Sequence, residues 1–159
     1  MAAVTLDTID GVRLVGVAHH ADAPVGSVVL AHGFTASSTH ADVEALVRSL
    51  VASGYDVVAY DARGHGRSEG RCTLGDLERH DVAAAIRATD PASGPVLLVG
   101  ISMGAIAVLR HTAEPRRPDT PAVAGVVTVS APAHWKLPRN ARGVLSAGLT
   151  STALGRAVA

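Results

Sequence analysis

The stretch Val96-Leu97-Leu98-Val99-Gly100-Ile101-Ser102-Met103-Gly104 decides the fold. Residues 96–100 read as an apolar strand and residues 103–112 as a helix. Between them Gly-Ile-Ser-Met-Gly forms a turn so tight that the positions flanking the serine must be glycine or very small. Such a turn lifts the hydroxyl of Ser102 above the end of a sheet and sets it at a helix N-terminus, where backbone amides favour developing negative charge. A five-residue pattern alone is equally a glycine-rich turn. The strand before it and the helix after it give it mechanical meaning.

Working outward, residues 27–31 (Ser-Val-Val-Leu-Ala) are continuously apolar, as in a strand buried on both faces. Residues 42–52 then change period: Val43, Leu46, Val47, Leu50 and Val51 follow helical spacing, with Ser38 or Thr39 as N-cap and Gly54 as the stop. Residues 55–60 read as strand, 74–89 as helix and 123–129 as strand. This alternation calls for a mostly parallel sheet covered by helices on both faces, because parallel neighbours need a long right-handed crossover. Ahead of it, residues 4–9 and 12–17 are β-branched runs joined by Asp10-Gly11, which fits an antiparallel hairpin with a two-residue turn. The chemistry belongs at the C-terminal edge of the parallel strands. Residues 1–130 form the expected core, and residues 131–159, a Pro-rich loop followed by a weakly amphipathic stretch, the start of a helical cap. No internal repeat is visible.

Two more motifs sit on that edge. His32-Gly33-Phe34-Thr35 follows the strand at 27–31, and Asp61-Ala-Arg-Gly-His-Gly-Arg-Ser68 follows the strand at 55–60. With Ser102 they occur in the order of the α/β-hydrolase family, which the chain resembles over nearly its whole length. The resemblance implies that Ser102 is a nucleophile. It also implies that the amides of Phe34 and Met103 form an oxyanion hole, with His32, Gly33, Gly100, Gly104, Asp61 and Arg63 as supporting motif residues. His32, ending a buried strand, is expected to be structural. Asp61 and Arg63 are expected to pair across their turn while Gly64 and Gly66 fold it tightly. A dinucleotide loop is rejected, because Glu69 occupies the third glycine position of G-x-G-x-x-G.

The family order places an acid and then a histidine after the nucleophile. Beyond Ser102 the only acids are Glu114 and Asp119, and the only histidines are His111 and His134. Asp119 precedes the strand at 123–129 and, at about 3.3 Å per residue, lies about 20 Å from the edge where Ser102 emerges. Glu114 and His111 close the helix that starts at Met103 and are expected on the surface, His111 as a cation favoured by the helix dipole. His134 follows a strand on the correct edge and is the residual candidate base; His65 is a weaker one. The triad is therefore expected to be incomplete, as in the N-terminal portion of a longer hydrolase.

Composition narrows the rest. The 159 residues are 48% apolar and 18% charged, with 14 basic and 14 acidic side chains. That suits one soluble domain and gives no electrostatic excess to draw nucleic acid. The basic tail carrying Lys136, Arg139, Arg142 and Arg156 is expected to be too sparse for stable membrane insertion, residues 1–7 do not read as a basic stretch leading into an apolar one, and no run reaches about 18 apolar residues. A cytoplasmic location is expected. His19, His20, His40 and His80 lack metal-ligand spacing and are expected on the surface; Cys72 is expected to be an idle thiol. No metal or cofactor is expected. The function expected is hydrolysis of an ester or related small-molecule acyl substrate through Ser102. A peptidase on the same fold, or a noncatalytic hydrolase-like binding protein, are the alternatives. The strand at 123–129, with nothing beyond it, is expected to leave an open edge prone to self-association.

Overall fold

The strand Gly26–Ala31 is buried along its whole length, and everything else is layered on it. In the computed structural model, which describes residues 1–133, the elements run β1 (Ala2–Asp7), β2 (Arg13–His19), β3 (Gly26–Ala31), α1 (Ala41–Ala52), β4 (Tyr55–Tyr60), α2 (Glu78–Arg87), a single 3-10 turn (Pro91–Ser93), β5 (Val96–Ile101), α3 (Met103–Ala113) and β6 (Val123–Val129). The sheet order is β1-β2-β4-β3-β5-β6. The first two strands are antiparallel to each other and β2 to β4, while β4, β3, β5 and β6 are parallel. Alternate residues of β3 therefore face opposite layers. Val28 and Leu30 pack with Val43 and Val47 of α1. Val29 and Ala31 pack with Val82 and Ile86 of α2 and Val108 of α3. Helices cover both faces, as the alternating pattern requires.

Three local expectations need correction. Asp10-Gly11 does not make a two-residue turn: the ladder closes at Asp7 and Arg13, and residues 8–12 form a longer loop. The Thr8 amide donates to the Val12 carbonyl at 3.0 Å, and the Thr8 hydroxyl accepts from the Val12 amide and donates to Asp10. The helix expected at 74 starts at Glu78, because the buried Glu78 carboxylate gathers the amides of Thr73 and Gly75 and the Thr73 hydroxyl into a loop. Within that loop Leu74 and Gly75 have φ of 58° and 97°, outside any right-handed helix. At α1 the cap is His40, whose ring accepts from the Asp42 amide; Ser38 is occupied elsewhere.

Arg63 ties the layers together. It is 2% exposed, and its guanidinium reaches Asp81 of α2, which is fully buried, and Asp10 of the hairpin loop, with NH1 and NH2 at 2.7 and 2.9 Å from the Asp10 oxygens. Burial alone would lower the Arg63 pKa, but the bonds it donates to Asp10 and Asp81 more than offset it and hold the charge in place. The Asp10 carboxyl is held well below the usual range, chiefly by Arg63. The expected Asp61–Arg63 pair does not form, since each has a nearer partner set. At the opposite edge, Val127 and Val129 of β6 are 53% and 48% exposed, and no described strand pairs beyond it.

Removing one member of a buried ion cluster leaves the others uncompensated. Arg63→Leu is expected to lower unfolding free energy in urea by about 3–5 kcal/mol. A loss below about 1 kcal/mol would show that the cluster contributes nothing beyond its volume.

Candidate functional site

The site begins where β5 becomes α3. Ser102 has φ 51° and ψ −107°, a sparsely populated region for a residue with a Cβ. Such a conformation costs on the order of 1–3 kcal/mol and persists only where its surroundings impose it. Here they do: a Cβ on Gly100 would lie 2.6 Å from the Ala105 Cα, and one on Gly104 would lie 2.6 Å from the Ala31 carbonyl carbon. Two glycines thus let α3 press backbone-close against β3 and β5. The Ser102 amide continues the sheet to Val129 of β6 at 2.8 Å, and its carbonyl accepts from Ala105 and Ile106 to start the helix. Serine at such a position ordinarily caps the helix with its hydroxyl. Ser102 makes no capping bond.

Beside it runs the loop after β3. A Cβ on Gly33 would sit 3.5 Å from the Ser102 Cβ, so the His-Gly-Phe loop and the serine are neighbours. Met103 is the first residue of α3, and its amide has no acceptor within the helix. The Phe34 amide is oriented by its own peptide plane. The Gly33 carbonyl accepts from His32 Nδ1 at 2.8 Å and from the Ala36 amide at 3.2 Å. In a trans peptide the Phe34 N–H points opposite to that carbonyl. His32 is 1% exposed, and its Nε2 accepts from the Ala62 amide at 3.0 Å, which leaves the proton on Nδ1. Burial pulls its pKa down to about 4, so the ring is neutral. His32 is structural, as expected, with both nitrogens engaged.

Asp61 fastens the far end of the same loop. Its Oδ1 accepts from the amide and hydroxyl of Ser38, both at 2.7 Å, and its Oδ2 accepts from the Arg67 amide at 2.9 Å. Burial works to raise this carboxyl's pKa, but the bonds from Arg67 and Ser38 prevail and it is lowered. Gly66, at φ 48°, has no space for a Cβ against the Asp61 carboxylate. His65 is 5% exposed, with its ring edge-on to both His32 and Phe34.

The other candidates separate. His111 is half-buried and burial lowers its pKa, so it is not the dipole-stabilised cation expected. Glu114 is exposed and pairs with Arg79, and Asp119 is exposed beside Arg117. His20 and His40 are exposed, whereas His19 and His80 are half-buried. Burial pushes the Cys72 thiol up to about 12; its Sγ contacts the Met103 Sδ at 3.5 Å. His134 lies outside the described residues. Among the described residues no histidine hydrogen-bonds Ser102, and no group of three or more His, Cys, Asp or Glu could hold a metal. No described helix is long and apolar enough to cross a membrane. Sequence reasoning gave Asp10 and Ser38 other roles and missed Glu78 and Asp81. The acids at 78 and 81 did carry a signal, since they share the helix with core positions Val82 and Ile86.

Comparison with known proteins agrees with this fold. The family model described as "Serine aminopeptidase, S33" matches residues 22–158. A caffeoylshikimate esterase of Arabidopsis thaliana is 39% identical over 93 residues, covering 53% of this chain and 27% of that protein. A non-heme chloroperoxidase of Streptomyces lividans is 37% identical over 106 residues, covering 65% of this chain and 36% of that one. Among solved structures, an esterase of Pyrococcus furiosus superposes with a TM-score of 0.71 at 29% identity, over 82% of this chain and 49% of that chain. A serine hydrolase without lid from Xanthomonas campestris gives 0.69 at 26% identity, over 87% and 65%. The chain thus spans about a third or less of the curated relatives it matches and about half of the esterase structure.

Two outcomes follow from the geometry. Glycine relieves a positive φ and alanine does not, so Ser102→Gly should unfold at least about 1 kcal/mol later than Ser102→Ala; equal stabilities would mean the elbow is unstrained. His32 titrates near 4 folded and near 6.5 unfolded. Between these values the unfolded chain binds a proton that the folded chain refuses, so stability falls as pH drops from about 6.5 to 4, by up to about 3 kcal/mol. His19 and His111 are shifted the same way, so the measurement is the difference between the wild type and His32→Gln in urea. The variant should show a shallower fall, and identical slopes would contradict the buried neutral ring.

Proposed function

Because this chain belongs to the serine aminopeptidase S33 family of α/β-hydrolases, we propose that it carries the nucleophile and oxyanion hole of a serine hydrolase acting on a small-molecule ester. The observation that carries this reading is the strained Ser102, its hydroxyl withheld from capping α3 at the point where the His-Gly-Phe loop meets the helix N-terminus. In the proposed step the Ser102 oxygen bonds to the acyl carbon and its proton passes to a base. The carbonyl π electrons move onto oxygen, which the Phe34 and Met103 amides receive. Collapse expels the alcohol oxygen, which takes up that proton, and water then releases the acid by the same route. Each amide is worth about 3–4 kcal/mol, because it meets charge that exists only in the transition state. The step uses no metal or cofactor.

Acid and base are assigned outside residues 1–133. His32 has both nitrogens occupied, and His134 is the one histidine of the chain beyond the described residues. We place the remaining machinery in the portion that the longer relatives have and this chain does not span. An ester is favoured over an amide because both a 39% identical relative and a well-superposed structure are esterases. A second reading has one observation in its favour: with no described histidine on Ser102, the site would bind acyl compounds without turnover.

A fluorophosphonate probe, applied to the chain together with the portion that supplies acid and base, decides between the two. Labelling that Ser102→Ala abolishes is the expected result, since phosphonylation needs a reactive serine held against an oxyanion hole. A folded protein that carries that portion and stays unlabelled would overturn the hydrolytic reading in favour of binding.

A further inference from the structure

The buried ring of His65 has no part in the step just described, yet it touches both side chains that flank the Gly33–Phe34 peptide. Its centroid lies 5.2 Å from that of His32 at an interplanar angle of 68°, and 5.7 Å from that of Phe34 at 82°. Both contacts are edge-to-face arrangements that aromatic quadrupoles favour. His32 holds the carbonyl end of that peptide, and Phe34 supplies its N–H end. One ring therefore braces both ends of a single rigid unit.

His65 is itself rigidly mounted. Its Nδ1 faces the Arg63 carbonyl at 3.1 Å; a carbonyl only accepts, so Nδ1 carries the proton. Its amide donates to the Ala62 carbonyl at 2.9 Å. The Arg63 amide in turn donates to Asp81 at 2.8 Å, which anchors the turn on α2. Gly64 and Gly66, with φ of 73° and 48°, turn the backbone on either side so that residue 65 points inward between them.

We propose that His65 is a positioning residue that sets the Phe34 amide for the developing oxyanion, an inference that rests on the hydrolytic reading above. Through this contact the Asp61–Ser68 loop aims the oxyanion hole as well as stabilising its own turn. The ring is the operative part, and the Nδ1 proton serves only to hold it.

Two variants, made in the protein with the portion that supplies acid and base, separate these features. His65→Phe keeps an aromatic edge and loses the bond to Arg63, while His65→Asn keeps a short polar donor and loses the ring. The readouts are the second-order rate of Ser102 labelling by a fluorophosphonate and the backbone amide resonances of Phe34 and Met103. Both variants are first confirmed folded by circular dichroism. His65→Asn should label about 10–100-fold more slowly, the size expected for a misplaced binding group, while His65→Phe stays within about threefold of wild type. The Phe34 resonance should move in His65→Asn and return in His65→Phe, with Met103 unchanged in both. Wild-type labelling speed in His65→Asn, or His65→Phe as slow as His65→Asn, would overturn the inference while leaving the hydrolytic reading intact. An unlabelled wild type would defeat the hydrolytic reading. In that case an unmoved Phe34 resonance in His65→Asn overturns the positioning as well, and a moved one restored in His65→Phe upholds it.

Discussion

A serine held at a positive φ is the constraint on which the rest of the structure is arranged. It exists because Gly100 and Gly104 allow α3 to lie against the backbone of β3 and β5 with no side chain between them. That close approach fixes where α3 starts, which amide is first in the helix, and how near the β3 loop comes to the serine. Any Cβ at either glycine would push the helix out and relax the elbow into an ordinary turn. The strain is sustained by packing: β3 is buried on both faces, and Met103, Ala105, Ala107 and Val108 close over it.

Buried polar groups hold the loops around the elbow with little freedom. His32, Asp61 and Arg63 are each 1–2% exposed. Each spends its hydrogen-bonding capacity on backbone, hydroxyl or charged partners rather than on solvent. His32 links the β3 loop to Ala62, Asp61 links the preceding position to Ser38, and Arg63 links the same turn to α2 and the first hairpin. Groups buried this way are costly to leave unpaired, so the loops they join move as one body. Under the proposed function this rigidity would serve a transient oxyanion, because donors already in place need no rearrangement when charge appears.

Much of this was legible in the residues. Continuous apolar runs identified β3 and β5, helical spacing identified α1, and three motifs in order located the edge where the loops after β3 and β4 meet the start of α3. What escaped were choices made by tertiary partners. Asp61 and Arg63 lie two apart and look like a pair, but Asp61 meets Ser38 and Arg63 meets Asp10 and Asp81, contacts that no local pattern encodes. The segment before Glu78 has helical composition, yet the Glu78 carboxylate captures its amides and unwinds it. Asp10-Gly11 has the chemistry of a two-residue turn, and the loop opened because the Asp10 carboxylate is needed by Arg63.

The central claim is spatial: the amides of Phe34 and Met103 face one point beside the Ser102 hydroxyl. A crystal structure of the protein, with the portion that supplies acid and base, after reaction with an alkyl fluorophosphonate tests it most directly. The account predicts phosphorus bonded to the Ser102 oxygen, with the phosphonyl oxygen about 2.7–3.1 Å from both amide nitrogens. A phosphonyl oxygen turned to solvent, with either amide directed elsewhere, would contradict it.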